Sequence, residues 1–325
     1  MNKYVLGIDQ STQGTKGLLF DEKGALLCRA DLPHKQYIDE RGWVEHDPEE
    51  IYANTLQVVK NLIEKAGIDK KEISVLGISN QRETALVWDK KTGKPVYNAV
   101  VWQCARGSEI CKKIAAEHEN AEELVRSHTG LQLSPYFSAA KIAWVLQNVP
   151  GAQEKADRGE LCCGTIDSWL VYKLTGGREF RTDYSNASRT QMFHIGELAW
   201  DSEVCGLFGI PVSCLAEVTD SDGEYGTTDF GGYLDAQIPI RGVLGDSHGA
   251  LFGQGCIETG MIKTTYGTGS SIMMNIGKKP VYSNRVVTSL AWKLDGEVNY
   301  VLEGNINYTG AVITWLKDDL KLIAS

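Results

Sequence analysis

Residues 4–20 read YVLGIDQSTQGTKGLLF, in which two short apolar runs flank a polar turn. The first run ends at Asp9, and glycine, serine and threonine residues fill the turn before the second run begins at Gly17. This pattern predicts a strand, a tight loop and a second strand. A turn at residues 21–24 and an apolar run over residues 25–30 continue the pattern. We therefore predict an antiparallel meander of three strands at the start of the chain.

Helical and extended patterns alternate after this meander. Residues 47–50, DPEE, supply an N-cap aspartate, a proline in the first turn and two acidic residues ahead of an apolar face at helical spacing. An apolar strand over residues 73–78 ends just before the polar run NQRE at residues 80–83. The region from 108 to 149 is predicted to be helical, with a break at residues 133–136. Polar side chains directly after a strand end are well placed to contact a ligand.

A faint repeat indicates a second domain. Residues 261–274 repeat the plan of strand, Gly/Thr-rich loop and strand, and a strand at 298–302 and a helix over 308–323 are predicted to follow. Two copies of one unit predict two similar domains that face each other. We place the first domain at residues 1–254 and the second at residues 255–325. Because the second range is short for an independent domain, we expect that domain to be incomplete.

The composition excludes several classes of protein. The 325 residues fit two domains, since domains average about 150 residues. A balance of 33 Lys+Arg against 42 Asp+Glu gives a net charge of −9, which argues against nucleic acid as a partner. No apolar stretch approaches the roughly 20 residues that span a bilayer, and the chain does not begin with a signal-peptide pattern. The sequence predicts a cytoplasmic protein with a small-molecule partner and no membrane partner, and it leaves a homo-oligomer open.

The eight cysteines show no C-x-x-C spacing and no secretory context. Reduced thiols are therefore expected. The adjacent pair Cys162-Cys163 lies in an apolar stretch and is predicted to fill the core.

Two loops have the chemistry that holds a phosphate chain. Between Asp9 and Lys16, backbone N–H groups, hydroxyls and one positive charge share a single turn. The loop at residues 267–270, GTGS, is expected to form the opposing phosphate clamp, and neither loop is a Walker A sequence. Asp9 is expected to hold Mg²⁺ through water, because hard cations prefer carboxylate oxygen. Taken alone, the first loop would also suit an ordinary polar hairpin.

Three further side chains carry candidate chemistry. Asp246 follows an apolar run and precedes a helical pattern, so it is either an N-cap or a general base. As a base it would take the proton from a substrate hydroxyl while that oxygen attacks a γ-phosphoryl group, and His248 is the alternative base. Arg82 and Glu83 offer a donor fork and an acceptor that would suit the adjacent hydroxyls of a polyol.

Trp102 or Tyr136 could supply an apolar wall beside that pair. A surface ion pair and two core aromatics would explain the same residues. Spacing alone does not decide between these two interpretations.

Several longer segments together resemble the FGGY family of carbohydrate kinases, and within it the members that act on glycerol. The similarity spans residues 4–323. The segments that carry it are residues 80–84 (NQRET), 101–104 (VWQC), 135–138 (PYFS), 164–167 (GTID), 182–190 (TDYSNASRT), 250–254 (ALFGQ), 265–269 (TYGTG) and 302–304 (LEG).

The resemblance implies an α/β fold of the ribonuclease-H-like, actin and hexokinase type, duplicated into two domains with ATP and a polyol in the cleft between them. It implies phosphorylation by ATP with Mg²⁺, with glycerol converted to glycerol 3-phosphate and Asp246 as general base. The residues implied for the polyol are Arg82, Glu83, Trp102, Tyr136, Asp246 and Ser247. Those implied for the nucleotide are Thr12, Gln13, Lys16, Gly267, Thr268, Gly310 and Thr314.

Three positions depart from the members that act on glycerol. Ser247 stands where these members typically have glutamine, and its shorter side chain leaves room for a tetritol or for D-xylulose or another pentulose. Lys16 stands in place of arginine, which exchanges a bidentate fork for a point charge, and Thr314 stands in place of glutamine. A different class, an actin-like or Hsp70-like ATPase switch, would use the same two phosphate loops but needs no polyol-binding pair.

Overall fold

Mixed β-sheets with helices packed against them organise the fold. The computed structural model describes residues 4–266, 270–306 and 309–323. The strands of the first part are β1 (Tyr4–Ser11), β2 (Gly14–Phe20), β3 (Leu26–Pro33), β4 (Tyr37–Ile38), β5 (Val44–His46), β6 (Ile73–Asn80), β7 (Ala85–Asp89), β8 (Ala99–Val100) and β9 (Leu161–Thr165). Those that follow are β10 (Arg181–Asp183), β11 (Phe193–His194), β12 (Ala199–Trp200), β13 (Glu217–Thr219), β14 (Thr227–Thr228), β15 (Ile238–Gly245), β16 (Ile262–Tyr266), β17 (Ser270–Gly277), β18 (Val287–Leu294) and β19 (Glu297–Ile306).

The helices pack against these strands. They are α1 (Pro48–Ala66), α2 (Ser108–Glu117), α3 (Ala121–Thr129), α4 (Ser138–Asn148), α5 (Ala152–Asp157), α6 (Ile166–Leu174), α7 (Tyr184–Ala187), α8 (Ser202–Leu207), α9 (Asp246–Gly253) and α10 (Gly310–Thr314). Short 3₁₀ turns lie at Lys70–Glu72 and Val212–Cys214. None of the described helices is both long and apolar enough to cross a bilayer.

The central six-stranded sheet has the order β14-β15-β6-β1-β2-β3. Strands β1, β2 and β3 pair antiparallel, which confirms the predicted meander. Strands β1, β6 and β15 run parallel, with Asp9 opposite Ser79 and Gly245 opposite Asn80. The carboxyl ends of three neighbouring strands therefore meet at one edge of the sheet, the edge at which α/β proteins bind ligands.

Helix α1, which the sequence predicts, covers one face of this sheet. The Asp47 side chain accepts the N–H of Glu49 at the start of the helix, and Gly67 ends it in the left-handed conformation with φ 65°. The buried face of α1 packs with sheet residues such as Leu6 and Leu19 in one core. That packing anchors β1 and β2, which carry the first polar loop.

A second sheet, β4-β5-β8-β7-β9, lies beside the first and packs against α2 to α5. Cys162 and Cys163 point to opposite faces of β9, so each thiol fills a different core, which confirms their predicted packing role. All eight cysteines are free thiols. The predicted helical region from 108 to 149 is divided into α2, α3 and α4, and the predicted break lies just ahead of α4.

A third sheet, β16-β17-β19-β18, packs against the preceding part of the chain through β18. The N–H of Thr288 donates to the Gly130 carbonyl at 3.0 Å, and the N–H of Leu290 donates to Ser188 Oγ at 3.1 Å. These contacts place β19, the neighbour of β18, close to the strand ends of the central sheet.

The helix predicted over residues 308–323 is confirmed only in part, and residue 308 lies outside the described residues. Helix α10 ends at Thr314 and is followed by a π-helical turn at Trp315–Asp319, and Lys321 has φ 51°. The apolar side chains of this segment, including Ile313 at 56% exposed, are largely uncovered. A short helix needs packing of its apolar face to persist, and the described residues supply little of it here.

Candidate active site

Polar side chains gather where the three parallel strands end. Asp9 lies near the end of β1, Arg82 and Glu83 follow β6, and Asp246 follows β15 and begins α9. Arg82 Nε donates to Asp246 Oδ1 at 3.2 Å, although the two residues are 164 positions apart in sequence. The fold therefore brings together the residue pair and the aspartate that the sequence singled out separately.

Four buried charged residues form a network behind Asp246. The Arg82 guanidinium binds both carboxylate oxygens of Glu303, each at 2.9 Å. Arg189 Nε donates to Glu83 Oε1 at 2.6 Å, and Arg189 Nη1 lies 3.1 Å from Glu303 Oε2. We call Arg82, Glu83, Arg189 and Glu303 the charge network. Two guanidinium groups alternate with two carboxylates, so burial of each charge is offset by an opposite one.

Glu83 has an unusual backbone conformation, with φ 60°. The side chain of Ser138, the first residue of α4, donates to the Glu83 carbonyl at 3.2 Å, while Arg189 holds its carboxylate. Left-handed backbone is costly for a residue with a Cβ and persists where the surroundings impose it. The contacts from Ser138 and Arg189 hold Glu83 in this left-handed conformation. They thereby fix the direction of the Glu83 carboxylate.

Asp246 is the half-exposed neighbour of the charge network. Its side chain keeps 42% of its surface accessible, whereas that of Arg82 keeps 6%. Partial burial of the carboxyl raises the pKa of Asp246. The positive charge of Arg82 lowers this pKa, and the negative charge of Glu83 raises it further. A carboxylate whose pKa is raised is a stronger base, and its open side leaves room for a hydroxyl.

Glycine at position 245 lets Arg82 approach Asp246. A Cβ at Gly245 would lie 2.6 Å from Arg82 Cγ and 2.8 Å from Arg82 Cδ. Any larger residue would push the arginine away from the start of α9. The backbone N–H of Ser247 donates to the same oxygen, Asp246 Oδ1, at 2.6 Å, so both contacts orient the carboxylate through Oδ1.

His248, the alternative base, is fully buried. Its Nε2 lies 3.3 Å from Ser289 Oγ, and burial together with the nearby Arg82 lowers its pKa well below the usual range. A buried imidazole has no open side for a substrate hydroxyl. The geometry therefore favours Asp246 as the base.

The two candidate wall residues lie against each other. Trp102 and Tyr136 pack edge to face with ring centroids 5.7 Å apart, and both remain partly exposed. Trp102 Nε1 donates to Thr12 Oγ1 at 3.0 Å. This bond joins a residue predicted for the polyol to one predicted for the nucleotide, so the two predicted sites adjoin.

The first loop presents its polar groups at the same edge. Lys16 Nζ binds Asp9 Oδ2 at 2.7 Å, Ser79 Oγ donates to Asp9 Oδ1 at 3.3 Å, and Gln13 is exposed at the turn. The Asp9 carboxylate and the Ser79 hydroxyl offer oxygen atoms of the kind that Mg²⁺ prefers, and the Lys16 ammonium binds one of the two carboxylate oxygens. Asp9 is also close enough to Asp246 to raise the pKa of that carboxyl. Asp9 therefore fits a water-mediated Mg²⁺ contact.

The residues predicted for the nucleotide in the second part of the chain are only partly described. Gly267 and Thr268 lie outside the described residues. Gly310 begins α10, and Thr314, which is exposed, ends that helix. Ser270 Oγ lies 2.8 Å from Oγ1 of Thr309, the residue before Gly310, so the far end of the second loop adjoins the start of α10.

Another cluster of potential metal ligands, His128, His194 and Asp201, occurs within the described ranges. Both carboxylate oxygens of Asp201 and the Nδ1 atom of each histidine already have partners: Asp201 accepts from His128 and from the first turn of α8, and His194 Nδ1 accepts two backbone N–H groups. Two imidazoles are poor ligands for Mg²⁺. This cluster therefore does not compete with Asp9 for that cation.

Sequence reasoning missed several residues that build the site. Arg189 and Glu303 complete the charge network, Asn186 exchanges two 3.0 Å amide hydrogen bonds with Asn80, and Lys141 lies behind Tyr136. Arg189, Asn186 and Glu303 fall in the segments TDYSNASRT and LEG that carry the family resemblance. That resemblance was the one available signal, because no local pattern marks a partner more than 100 residues away.

Comparison with known proteins defines the class to which this fold and site belong. Residues 4–253 match the model of the FGGY family of carbohydrate kinases, N-terminal domain. The chain belongs to the FGGY family of carbohydrate kinases. It is 53% identical over 322 residues to glycerol kinase 1 of Thermotoga maritima and 51% identical over 324 residues to glycerol kinase of Carboxydothermus hydrogenoformans. It covers 65% and 64% of the lengths of these relatives, and they cover 99% of this chain.

Solved structures give the same result for the fold. A crystal structure of Plasmodium falciparum glycerol kinase with ADP superimposes with a TM-score of 0.92 at 37% identity, over 99% of this chain and 64% of that chain. A ligand-bound xylulose kinase from Lactobacillus acidophilus superimposes with a TM-score of 0.86 at 20% identity, over 98% of this chain and 63% of that chain. The actin/hexokinase-type α/β fold predicted from the motifs is thereby confirmed.

Proposed function

We propose that this protein transfers the γ-phosphoryl group of ATP to a hydroxyl of a small polyol, glycerol to glycerol 3-phosphate in the first place. The observation that carries the proposal is the placement of Asp246. It is a carboxylate of raised pKa with an open side, at the edge where three parallel strands end, and it is oriented by Arg82 and by the Ser247 N–H. This arrangement suits removal of a proton from a hydroxyl as its oxygen attacks phosphorus.

The neighbouring residues have the chemistry to hold a polyol. The described contacts use three of the five N–H donors of Arg82, and the others can bind a hydroxyl. We assign Glu83 as acceptor for an adjacent hydroxyl, Ser247 as a polar contact beside the base, and Trp102 and Tyr136 as the wall against the carbon chain. A rigid aromatic wall favours a small acceptor whose hydroxyls face the charged side.

The nucleotide is assigned to the two loops and to α10. Thr12, Gln13 and Lys16 would contact the phosphates from the first loop, and Gly267 and Thr268 from the second. Gly310 and Thr314 would contact the remainder of the nucleotide. Asp9 would hold Mg²⁺ through water, and the cation would supply charge neutralisation at the phosphates.

Glycerol is favoured over the larger acceptors by the comparisons. The quoted relatives at 51% and 53% identity are named glycerol kinases, whereas the quoted xylulose kinase shares only 20% identity. The charge network with Asp246 also distinguishes this site from an ATPase switch, which needs no acceptor-binding pair. As part of the same proposal, the domain boundary lies between residues 254 and 255, after α9 ends at Gly253 and before β16 begins at Ile262.

Substitution Asp246→Asn tests the base directly. In the full-length encoded polypeptide, we expect turnover with glycerol to fall by about 10³-fold while the glycerol dissociation constant changes little, because Asn keeps the shape but takes no proton. Asp157→Asn, at an exposed carboxylate on α5, is the matched control and should leave both quantities unchanged. Near-normal turnover of Asp246→Asn would contradict the assignment of the base.

A further inference from the structure

Lys141 is a fully buried lysine in the first part of α4. Its ammonium donates to the carbonyl oxygens of Pro135 at 2.9 Å and of Phe137 at 3.0 Å, and to that of Tyr136 between them. One side chain thus binds three consecutive carbonyls just ahead of its own helix. The segment from Pro135 to Phe137 is thereby fixed to α4 by a charged donor.

Stability does not explain a lysine at this position. Burial lowers the pKa of Lys141 from 10.5 to about 7, so the folded protein disfavours its charge. The position near the N-terminus of α4 adds a repulsive contribution, since the helix dipole places partial positive charge there. An apolar side chain would avoid both costs, so the reason for a lysine here lies in the segment whose three carbonyls it binds.

The fixed segment carries the aromatic wall of the candidate site. The Tyr136 ring packs against Trp102 at 5.7 Å and against Phe137 at 5.3 Å between ring centroids. The Arg189 guanidinium lies 5.1 Å from the centroid of the Phe137 ring. A shift of the backbone at residues 135–137 would therefore move the wall and disturb a member of the charge network.

The start of α4 holds two further parts of the site. Ser138 Oγ donates to the Glu83 carbonyl at 3.2 Å, and the Ala139 N–H donates to the Thr190 carbonyl at 2.9 Å. The first turn of α4 therefore fixes the relative positions of Glu83, Tyr136 and Thr190. Thr190 directly follows Arg189 in the chain. Lys141 supplies the charged contact within this turn.

We propose that Lys141 is a positioning residue of the acceptor site: by holding the carbonyls of residues 135–137 it fixes the Tyr136 ring, and it thereby sets the affinity for the polyol rather than the rate of phosphoryl transfer. The inference rests on the function proposed above. Lys141 is buried behind the wall and does not contact the acceptor itself.

The proposal includes a pH dependence whose sign follows from the proton on Lys141. Below about pH 7 the ammonium is charged and has three donors, and above it the neutral amine has two and binds the carbonyls less strongly. The groups that face it are Glu83, which favours the charged form, and the thiols Cys104 and Cys111. Burial raises the pKa of Cys111 to about 11, so this thiol stays neutral near pH 7. Affinity for the polyol should therefore weaken as the pH rises through about 7.

Calorimetric titration of glycerol into the full-length encoded polypeptide, from pH 6 to pH 8, tests the proposal. The range ends at 8 because ordinary thiols ionise above it. We expect the dissociation constant of the unsubstituted protein to rise several-fold across this range. Lys141→Met should bind about tenfold more weakly than the unsubstituted protein at pH 6 and show no such rise, with turnover at saturating glycerol reduced less than threefold. Lys141→Arg keeps a permanent charge and should lose the pH dependence.

Lys112→Met is the matched control, because Lys112 is an exposed lysine on the adjacent α2 and should behave as the unsubstituted protein does. A dissociation constant for glycerol that does not change with pH in the unsubstituted protein would overturn the proposal, and this result is available even if Lys141→Met unfolds. An unchanged affinity for glycerol in a folded Lys141→Met variant would overturn it as well. If the protein turns over glycerol, either of these two results would contradict only the role of Lys141 and not the proposed function. Absence of both turnover and polyol binding would instead contradict the proposed function, and the role of Lys141 with it.

Discussion

At the scale of single residues, the site depends on charges that compensate one another out of contact with water. Glu303 is the clearest case, since its carboxylate is fully buried between the guanidinium groups of Arg82 and Arg189. These two arginines lower the pKa of Glu303 well below its usual range, against the effect of burial. The carboxylate therefore stays charged in the folded protein, and its loss would leave two arginines facing one buried carboxylate.

Substitution Glu303→Gln is expected to destabilise the protein by about 3 kcal/mol or more, because one partner of a buried ion pair is removed while the other charges stay. The measurement is the free energy of unfolding in urea. Glu297→Gln is the control on the same strand, where the exposed Glu297 pairs with Lys278 at the surface, and it should cause no measurable change. Equal effects of the two substitutions would show that the charge network does not contribute to stability.

These residues also show what could be predicted from the sequence. Arg82, Glu83 and Asp246 could be found because each lies within a few residues of the end of an apolar run, and strand ends of a parallel sheet meet at one edge. Arg189, Glu303 and Lys141 lie within or beside other elements, where nothing local marks them as functional. The Arg82–Glu303 contact joins residues 221 positions apart, and Glu83–Arg189 joins residues 106 positions apart. Only the fold creates these contacts.

At the scale of elements, short caps and turns fix how helices attach to the sheets. Helix α3 ends at Gly130, whose φ is 73° and whose carbonyl accepts the N–H of Thr288 on β18. Helix α1 ends in the same way at Gly67, with φ 65°, but in open space. The two glycines share a backbone conformation and differ in what surrounds them.

This difference gives a matched pair of substitutions. A Cβ at Gly130 would lie 2.5 Å from the Thr288 carbonyl oxygen and 2.8 Å from Ile195 Cδ1, whereas a Cβ at Gly67 would meet no atom within 4 Å. Gly67→Ala should cost about 1 kcal/mol for the left-handed backbone alone, and Gly130→Ala should cost about 3 kcal/mol or more. Urea unfolding of both variants measures the difference. Equal losses would mean that α3 and β18 are not packed as described.

Element patterns predicted the start of the chain better than its last part. The meander and α1 were predicted because alternating apolar runs, a glycine-rich turn and a proline in the first helical turn are local signals. The helix predicted over 308–323 is α-helical only as far as Thr314 and continues as a π-helical turn to Asp319, since apolar spacing alone does not keep a helix regular when its face is uncovered. A local sequence pattern therefore predicted an element correctly where the packing of the folded chain supports that element.

At the scale of the whole molecule, the third sheet contributes to the site as well as to the fold. Strand β18 is bonded to Gly130 and Ser188, and the adjacent β19 places Glu303 between two arginines of the preceding part of the chain. The geometry of Arg82 and therefore of Asp246 depends on elements that are distant in sequence. We propose that this assembly binds a small polyol beside a base and phosphorylates it.

Acceptor-dependent release of ADP by the full-length encoded polypeptide, with ATP and Mg²⁺, is the decisive test of this proposal. The acceptors are glycerol, erythritol, xylulose, ribulose and gluconate, and an acceptor-free reaction is the blank. We predict the highest kcat/KM with glycerol, with four- and five-carbon acceptors turned over to the extent that Ser247 leaves room for them. ADP release that no acceptor raises above the blank would contradict the claim, and a preference for a pentulose or for gluconate would contradict glycerol as the substrate.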